Sequence, residues 1–268
     1  MAIVDYDEVR FAPEQRIDLR LSSMRALKVR RALAECAYEP GTRILDLGCG
    51  EGSLARTINS LYPRAEIHGC DVSAVQLERA RQMGGHIEYR QSGESLPYES
   101  GYFDSIFLLD VLEHVEDPQA FLDEVSRVLA RGGRLLMHCP CEGQYLTLHW
   151  LMWKLRLGAN HKRELVGHIQ RFTHRRVLKI AARCGLDCRR VRYQYHPLGQ
   201  LSDVLLFWKM WCLRQRDLGT ASRLQNCVAA MPTFRFFKVM GMAGTYESRL
   251  LGRLPLAMGI DVVLVKER

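Results

Sequence analysis

No run of 18 or more apolar residues occurs in the sequence, so no membrane-spanning segment is expected. The opening stretch, MAIVDYDEVR, carries three acids and lacks an apolar core, which argues against a secretory signal and for a cytoplasmic protein. Internal repeats and low-complexity segments are missing. The nine cysteines are scattered, several inside apolar runs such as ILDLGCG, which fits reduced, buried thiols and not a disulfide framework. Cys139-Pro140-Cys141 with Cys184 and Cys188 does not have a zinc-binding spacing, and no metal is expected. Acids are scarce in the second half. Residues 150–268 hold 22 Lys/Arg against 7 Asp/Glu, whereas residues 1–149 hold 16 against 23. A basic half on an acidic one fits either a surface that meets something anionic or a solvated basic face.

What is present is an alternation of short apolar runs and amphipathic stretches. A helix is expected over 14–38, with Ile17, Leu21, Met24, Leu27 and Leu33 as its apolar stripe. Strands are expected at Arg43–Leu47, Glu66–Cys70, His86–Arg90, Phe103–Leu109 and Arg134–Cys139, with helices at Ser53–Leu61, Ala74–Met83 and Pro118–Leu129 between them. Residues 140–170 read as irregular and aromatic. A helix at Thr173–Cys184, a sixth strand at Leu186–Tyr195 and a last strand at Ile260–Val265 follow. This spacing implies an α/β fold, a seven-stranded, mostly parallel sheet with helices on both faces. Residues 1–195 plus 259–268 would form one Rossmann-like domain. Residues 196–258, with an apolar helix at Leu201–Leu213, would be a helical cap inserted before the last strand.

The segment Ile44-Leu45-Asp46-Leu47-Gly48-Cys49-Gly50-Glu51-Gly52 places a G-x-G-x-G turn between the first strand and its helix, where backbone passes close to a ligand. A glycine turn alone also suits a dinucleotide. Asp46 inside the strand is placed to orient a cationic amino group. Asp71, about twenty residues after the turn, is placed to accept both hydroxyls of a ribose, or to cap the next helix.

Four blocks, ILDLGCGEG, HGCDVS, SGESLPYESGYFDSIFLLDVLEHVEDP and FLDEVSRVLARGGRLLM, resemble the class I S-adenosylmethionine-dependent methyltransferases. The likeness is to the branch of ubiquinone/menaquinone-biosynthesis-like (type 11) enzymes and covers about residues 40–140. It implies S-adenosylmethionine as the cofactor. Gly48, Cys49 and Gly50 would pass under its methionine part and Asp71 would hold the ribose, with Val72 beside it. Ser92, Gly93 and Glu94 would border the adenine, and Leu109 and Asp110 would line the cofactor. Ser92 departs from the family, many of whose members have an acid there; its hydroxyl is a weaker acceptor than a charged group.

Methyl transfer from a sulfonium needs alignment, and a hydroxyl acceptor is helped by a general base. The histidines in reach are His168, His138 and His114, with His168 preferred because it lies in the variable, substrate-side region. Cys139 is similar in position to the nucleophile of RNA cytosine-5 methyltransferases, but Leu109-Asp110-Val111-Leu112-Glu113-His114 lacks their companion motif. No Asn-Pro-Pro-Tyr or Asp-Pro-Pro-Tyr motif is present either. Leu201–Leu213, followed by Arg214 and Arg216, and Pro232–Met240 mix apolar groups with cations. They fit a cap over an apolar pocket or a helix lying on an anionic membrane surface at its inner face. Both favour a hydrophobic or amphiphilic small-molecule acceptor. RNA methylation and a non-catalytic cofactor-binding protein are the alternatives.

Overall fold

The computed structural model describes residues 15–93, 95–155, 165–217, 219 and 234–267, apart from the side chains of 234–237. Expectations resting on residues 1–14, on Glu94, and on Pro232 and Thr233 lie outside the described residues.

The first helix, α1, is shorter than the apolar stripe suggests, running Met24–Leu33. The Ser23 hydroxyl accepts the Ala26 N–H and sets the start. Upstream, the Asp18 carboxylate takes the Arg20 N–H and makes a turn of what was expected as helix. Ile17 still reaches the core from that turn.

Then follow β1 (Arg43–Leu47), α2 (Ser53–Leu61), β2 (Glu66–Asp71), α3 (Ala74–Gln82), β3 (Ile87–Gln91), β4 (Phe103–Leu109) and α4 (Pro118–Val128). A 3-10 turn at Leu112–His114 separates β4 from α4. β5 begins earlier than expected, spanning Leu129–Pro140, because Leu129 pairs with Phe103 before the register shifts across the Gly132-Gly133 irregularity. Residues 140–170 are not wholly irregular: α5 (Leu148–Lys154) starts where the Thr147 hydroxyl accepts the Trp150 N–H. α6 (His174–Arg183), β6 (Leu186–Gln194), α7 (Pro197–Asp217), α8 (Phe234–Leu250) and β7 (Gly259–Lys266) complete the chain.

The sheet order is β3-β2-β1-β4-β5-β7-β6. β1 to β5 are parallel, and β7 runs antiparallel between β5 and β6. One core cluster packs α4 and α6 on one face, through Leu122, Val125, Val177 and Ala181. The other packs α1, α2 and α3 on the opposite face, through Val29, Leu54, Ile58 and Leu77. The expected Rossmann-like architecture is the one observed. α7 and α8 pack against each other between β6 and β7, and at their crossing Gly199 and Gly244 approach so closely that a Cβ on Gly244 would stand 2.7 Å from the Gly199 Cα. Among the described residues no helix is long and apolar enough to cross a membrane.

Candidate active site

The strands β1, β2, β4 and β5 end on the same edge of the sheet, and the predicted residues gather there. Gly48, Gly50 and Gly52 all have positive φ, which L side chains rarely adopt. A Cβ on Gly48 would also collide with Val111, so the turn is shaped for glycine on two grounds. The turn is held from β2: the Gly48 and Cys49 N–H groups donate to the Cys70 carbonyl, at 2.7 and 3.1 Å. The Gly50 N–H donates to Asp71 Oδ2 at 2.7 Å.

Asp71 Oδ1 takes the Ser73 N–H at 3.0 Å, and Ser73, not Asp71, caps α3. Each Asp71 oxygen therefore uses one acceptor site, and a carboxylate oxygen offers more than one. Val72 beside it is an exposed valine, 59% accessible. Ser92 follows β3, and its N–H donates to the Asp71 carbonyl. Gly93 is exposed. This edge thus offers a bare glycine turn, a carboxylate with spare acceptor sites and an apolar flank, which fit a nucleoside with a vicinal diol.

Asp46 lies beneath the turn, only 3% exposed, with Oδ2 accepting the Ala55 N–H in the first turn of α2 at 2.9 Å. In this place the carboxylate compensates the positive end of α2 and ties it to β1. Burial pushes its pKa up to about 7, against the pull of the Ala55 N–H.

Leu109 and Asp110 follow on β4, and Asp110 takes a positive φ of 59°, uncommon for a non-glycine residue. Its side chain is 44% exposed and is paired with Lys28, which α1 buries among Leu27 and Val29. Partial burial opposes ionisation of Asp110, but the Lys28 ammonium and His138 outweigh it and hold the carboxyl well below the usual range. His138 on β5, 1% exposed, has Nε2 3.5 Å from Asp110 and Nδ1 2.6 Å from Asp261 on β7. Asp261 also holds Arg31 at 2.7 Å and accepts from the Gln194 amide at 2.6 Å. Gly259 leaves room for this imidazole, since a Cβ there would stand 2.9 Å from His138 Cε1.

His114 and His168 meet a few residues along. Their rings cross at 84° with centroids 4.9 Å apart. His168 Nδ1 is 2.7 Å from the buried Glu142, and both imidazoles reach within 3.8 Å of Glu113. Glu113 is 1% exposed, and burial, followed by the Asp110 charge, raises its pKa well above the usual value. The fold thus brings His114, His138 and His168 to one edge together with Asp110. Lys28, Glu113, Glu142 and Asp261 were not anticipated as site residues; the visible signal was Asp261, a lone acid inside the apolar run Gly259–Val265.

The four cysteines weighed as zinc ligands take no part. Cys139 and Cys141 are buried, with Cys139 Sγ near the Pro140 carbonyl, while Cys188 is exposed on β6; every cysteine in the described residues is free.

Residues 45–137 match the methyltransferase domain family. Among curated relatives, the ubiquinone/menaquinone biosynthesis C-methyltransferase of Desulfotalea psychrophila is 34% identical over 116 residues, covering 42% of this chain and 46% of that protein. The ubiquinone biosynthesis O-methyltransferase of a Chelativorans species is 36% identical over 102 residues, 36% of this chain and 40% of its own. The chain therefore spans less than half the length of these relatives. Solved structures of similar fold include phosphoethanolamine N-methyltransferase 2 of Haemonchus contortus, with TM-score 0.54 and 18% identity over 89% of this chain and 53% of that one. The 4+2 cyclase SpnF shares the fold at TM-score 0.59 and 19% identity, over 94% of this chain and 84% of its own. A cyclase among these neighbours shows that the fold does not by itself fix the reaction.

Proposed function

We propose that residues 45–137, which match the methyltransferase domain family, work as a class I, S-adenosylmethionine-dependent methyltransferase domain, and that the chain methylates an oxygen of a hydrophobic small molecule. The observation that carries the reading is the glycine turn tied to Asp71 through the Gly50 N–H, a few residues from the Asp110 and His138 pair across the ends of β1, β2, β4 and β5. Gly48, Cys49 and Gly50 would lie against the amino-acid part of S-adenosylmethionine, with Asp46 holding the turn's helix from below. Asp71 would accept from the ribose, and Val72, Ser92 and Gly93 would border the base. When bound, the cofactor supplies an activated methyl group on a sulfonium.

The chain's own work is to hold the acceptor in line, keep water out and take a proton. Asp110, kept ionised by Lys28, is too weak a base to keep that proton and would instead accept a hydrogen bond from the acceptor hydroxyl, while His138 behind it is oriented by Asp261. His168, oriented by Glu142, stands on the acceptor side. α7 and α8 would cover this edge, and their exposed Leu201, Leu206, Met210 and Met242 suit an apolar acceptor. The relatives, named as methyltransferases of ubiquinone biosynthesis, lend support to an acceptor of that hydrophobic kind.

Calorimetric titration with S-adenosylhomocysteine, beside an Asp71→Ala variant, tests the reading. Micromolar binding that is lost in the variant is expected. No binding by the wild-type chain overturns it, and binding without methyl transfer to any hydroxylated lipophile would favour a non-catalytic protein.

A further inference from the structure

The carboxylate of Glu113 is buried, and neither oxygen has a hydrogen-bond partner. An unpaired buried acid is costly unless something at the site compensates it. Two imidazoles face it. His168 Nδ1 stands 2.7 Å from Glu142 Oε1, and a carboxylate there accepts, so Nδ1 carries the hydrogen. His114 Nδ1 stands 3.2 Å from the Gly167 carbonyl, which can only accept, so this nitrogen carries a hydrogen too. In neutral rings both Nε2 atoms then present lone pairs toward Glu113 Oε1, each at 3.8 Å. That is too long for a hydrogen bond to either ring. Three electron-rich atoms therefore converge on one small volume, with one donor atom of each of Glu113, His114 and His168 within 4.8 Å of the others.

The arrangement is braced by the backbone. Ile169 and Gln170 both donate to the Glu113 carbonyl at 3.0 Å, and the Gln170 amide donates to the Val115 carbonyl at 3.0 Å. The segment carrying His168 is thereby fastened to the turn carrying Glu113 and His114. An imidazole oriented by a carboxylate or carbonyl through its other nitrogen is how proteins prepare a metal-ligating histidine.

We infer that Glu113, His114 and His168 form a binding site for a divalent transition-metal ion, with positions left open for oxygen ligands of the acceptor. Two imidazoles and one carboxylate suit zinc, manganese or iron better than calcium or magnesium. Three protein ligands with open positions is the pattern of a working site, not a structural one. Neighbouring ligands on such an ion lie about 3.0–3.4 Å apart, given bonds of about 2.1 Å, so each imidazole would close on Glu113 by about 0.4–0.8 Å and the two rings would close on each other from a separation of at most 4.8 Å. Metal binding stands independently of the methyltransferase reading; the role of holding an acceptor oxygen rests on it.

The test uses the full chain stripped with a chelator and titrated with Zn2+ by calorimetry, with Co2+ followed in the visible spectrum. Uptake of one equivalent is expected, weakened more than tenfold in both Glu113→Gln and His168→Ala, with Asp71→Ala binding like the wild type. Zn2+ is expected to raise the wild-type melting temperature and leave that of Glu113→Gln unchanged; circular dichroism verifies that the variants fold. No saturable uptake overturns the inference. So does uptake that both variants retain, or a Co2+ spectrum with thiolate charge-transfer bands, which would assign the metal to cysteines. Metal binding without S-adenosylhomocysteine binding would sustain the site and sink only its role.

Discussion

His138 Nδ1 lies 2.6 Å from Asp261 Oδ1, a bond that spans 123 positions of sequence and joins a parallel strand to its antiparallel neighbour. The same carboxylate binds Arg31 and Gln194, so three elements from distant parts of the chain meet on one side chain. Burial opposes its ionisation, but the bond to His138 and the Arg31 charge hold its pKa below the ordinary value.

Replacing Asp261 by alanine should therefore cost about 3–5 kcal/mol, because a half-removed buried ion pair leaves Arg31 uncompensated. Urea unfolding of the variant beside the wild type measures it. Asp261→Asn, which keeps some hydrogen bonding, should cost less. A loss under 1 kcal/mol for alanine would mean that the network contributes little.

Asp46 predicts a pH dependence of stability. Its folded-state pKa of about 7 lies above the ordinary aspartate value of 3.8, so between these values the folded chain holds a proton that the unfolded chain has lost. The contribution of Asp46 is full below pH about 4 and fades as the pH rises through about 7, by on the order of 4 kcal/mol. Asp46→Asn can still accept from Ala55, and its stability should fall less between pH 5 and 8 in denaturant titrations. Identical slopes for variant and wild type would contradict this account.

Gly48→Ala places a side chain at a φ of 77° and against Val111. The left-handed conformation alone costs about 1–2 kcal/mol. Affinity for S-adenosylhomocysteine should drop more than tenfold while the circular dichroism spectrum is kept. Undiminished binding would show that the turn does not touch the ligand.

Exposed Leu198 on α7, and Val239 and Leu250 on α8, which are not needed to cover the acceptor, predict attachment to vesicles containing anionic lipid. Co-sedimentation should weaken with added salt if cations contribute, as the excess of Lys/Arg in residues 150–268 suggests. Retention of RNA but not of vesicles would favour the nucleic-acid alternative instead.

The strands and the glycine turn were legible because buried parallel strands are short, branched and punctuated by glycine, as Arg43–Leu47 before Gly48 illustrates. Helix ends were less so. The stripe from Ile17 to Leu33 looks continuous, yet Ser23 captures the Ala26 N–H and starts α1 late. α5 has only seven residues, too few for a period to show, and only the Thr147 cap announces it. The three histidines were readable as residue types, but their partners were not. Lys28 reaches Asp110 across 82 positions and Glu142 reaches His168 across 26, separations at which sequence carries no sign of contact.

β7 has a consequence for how the protein is made. Among the described residues, β6 pairs with β7 alone. During synthesis β6 emerges some seventy residues before its sole partner, and α7 and α8 emerge in between. Pairings so distant in sequence are slow to close and leave edges open meanwhile. One side of the sheet is therefore completed last, and with it comes Asp261. A nascent chain holding the entire glycine turn would still lack the anchor of His138 until its final strand slides into place.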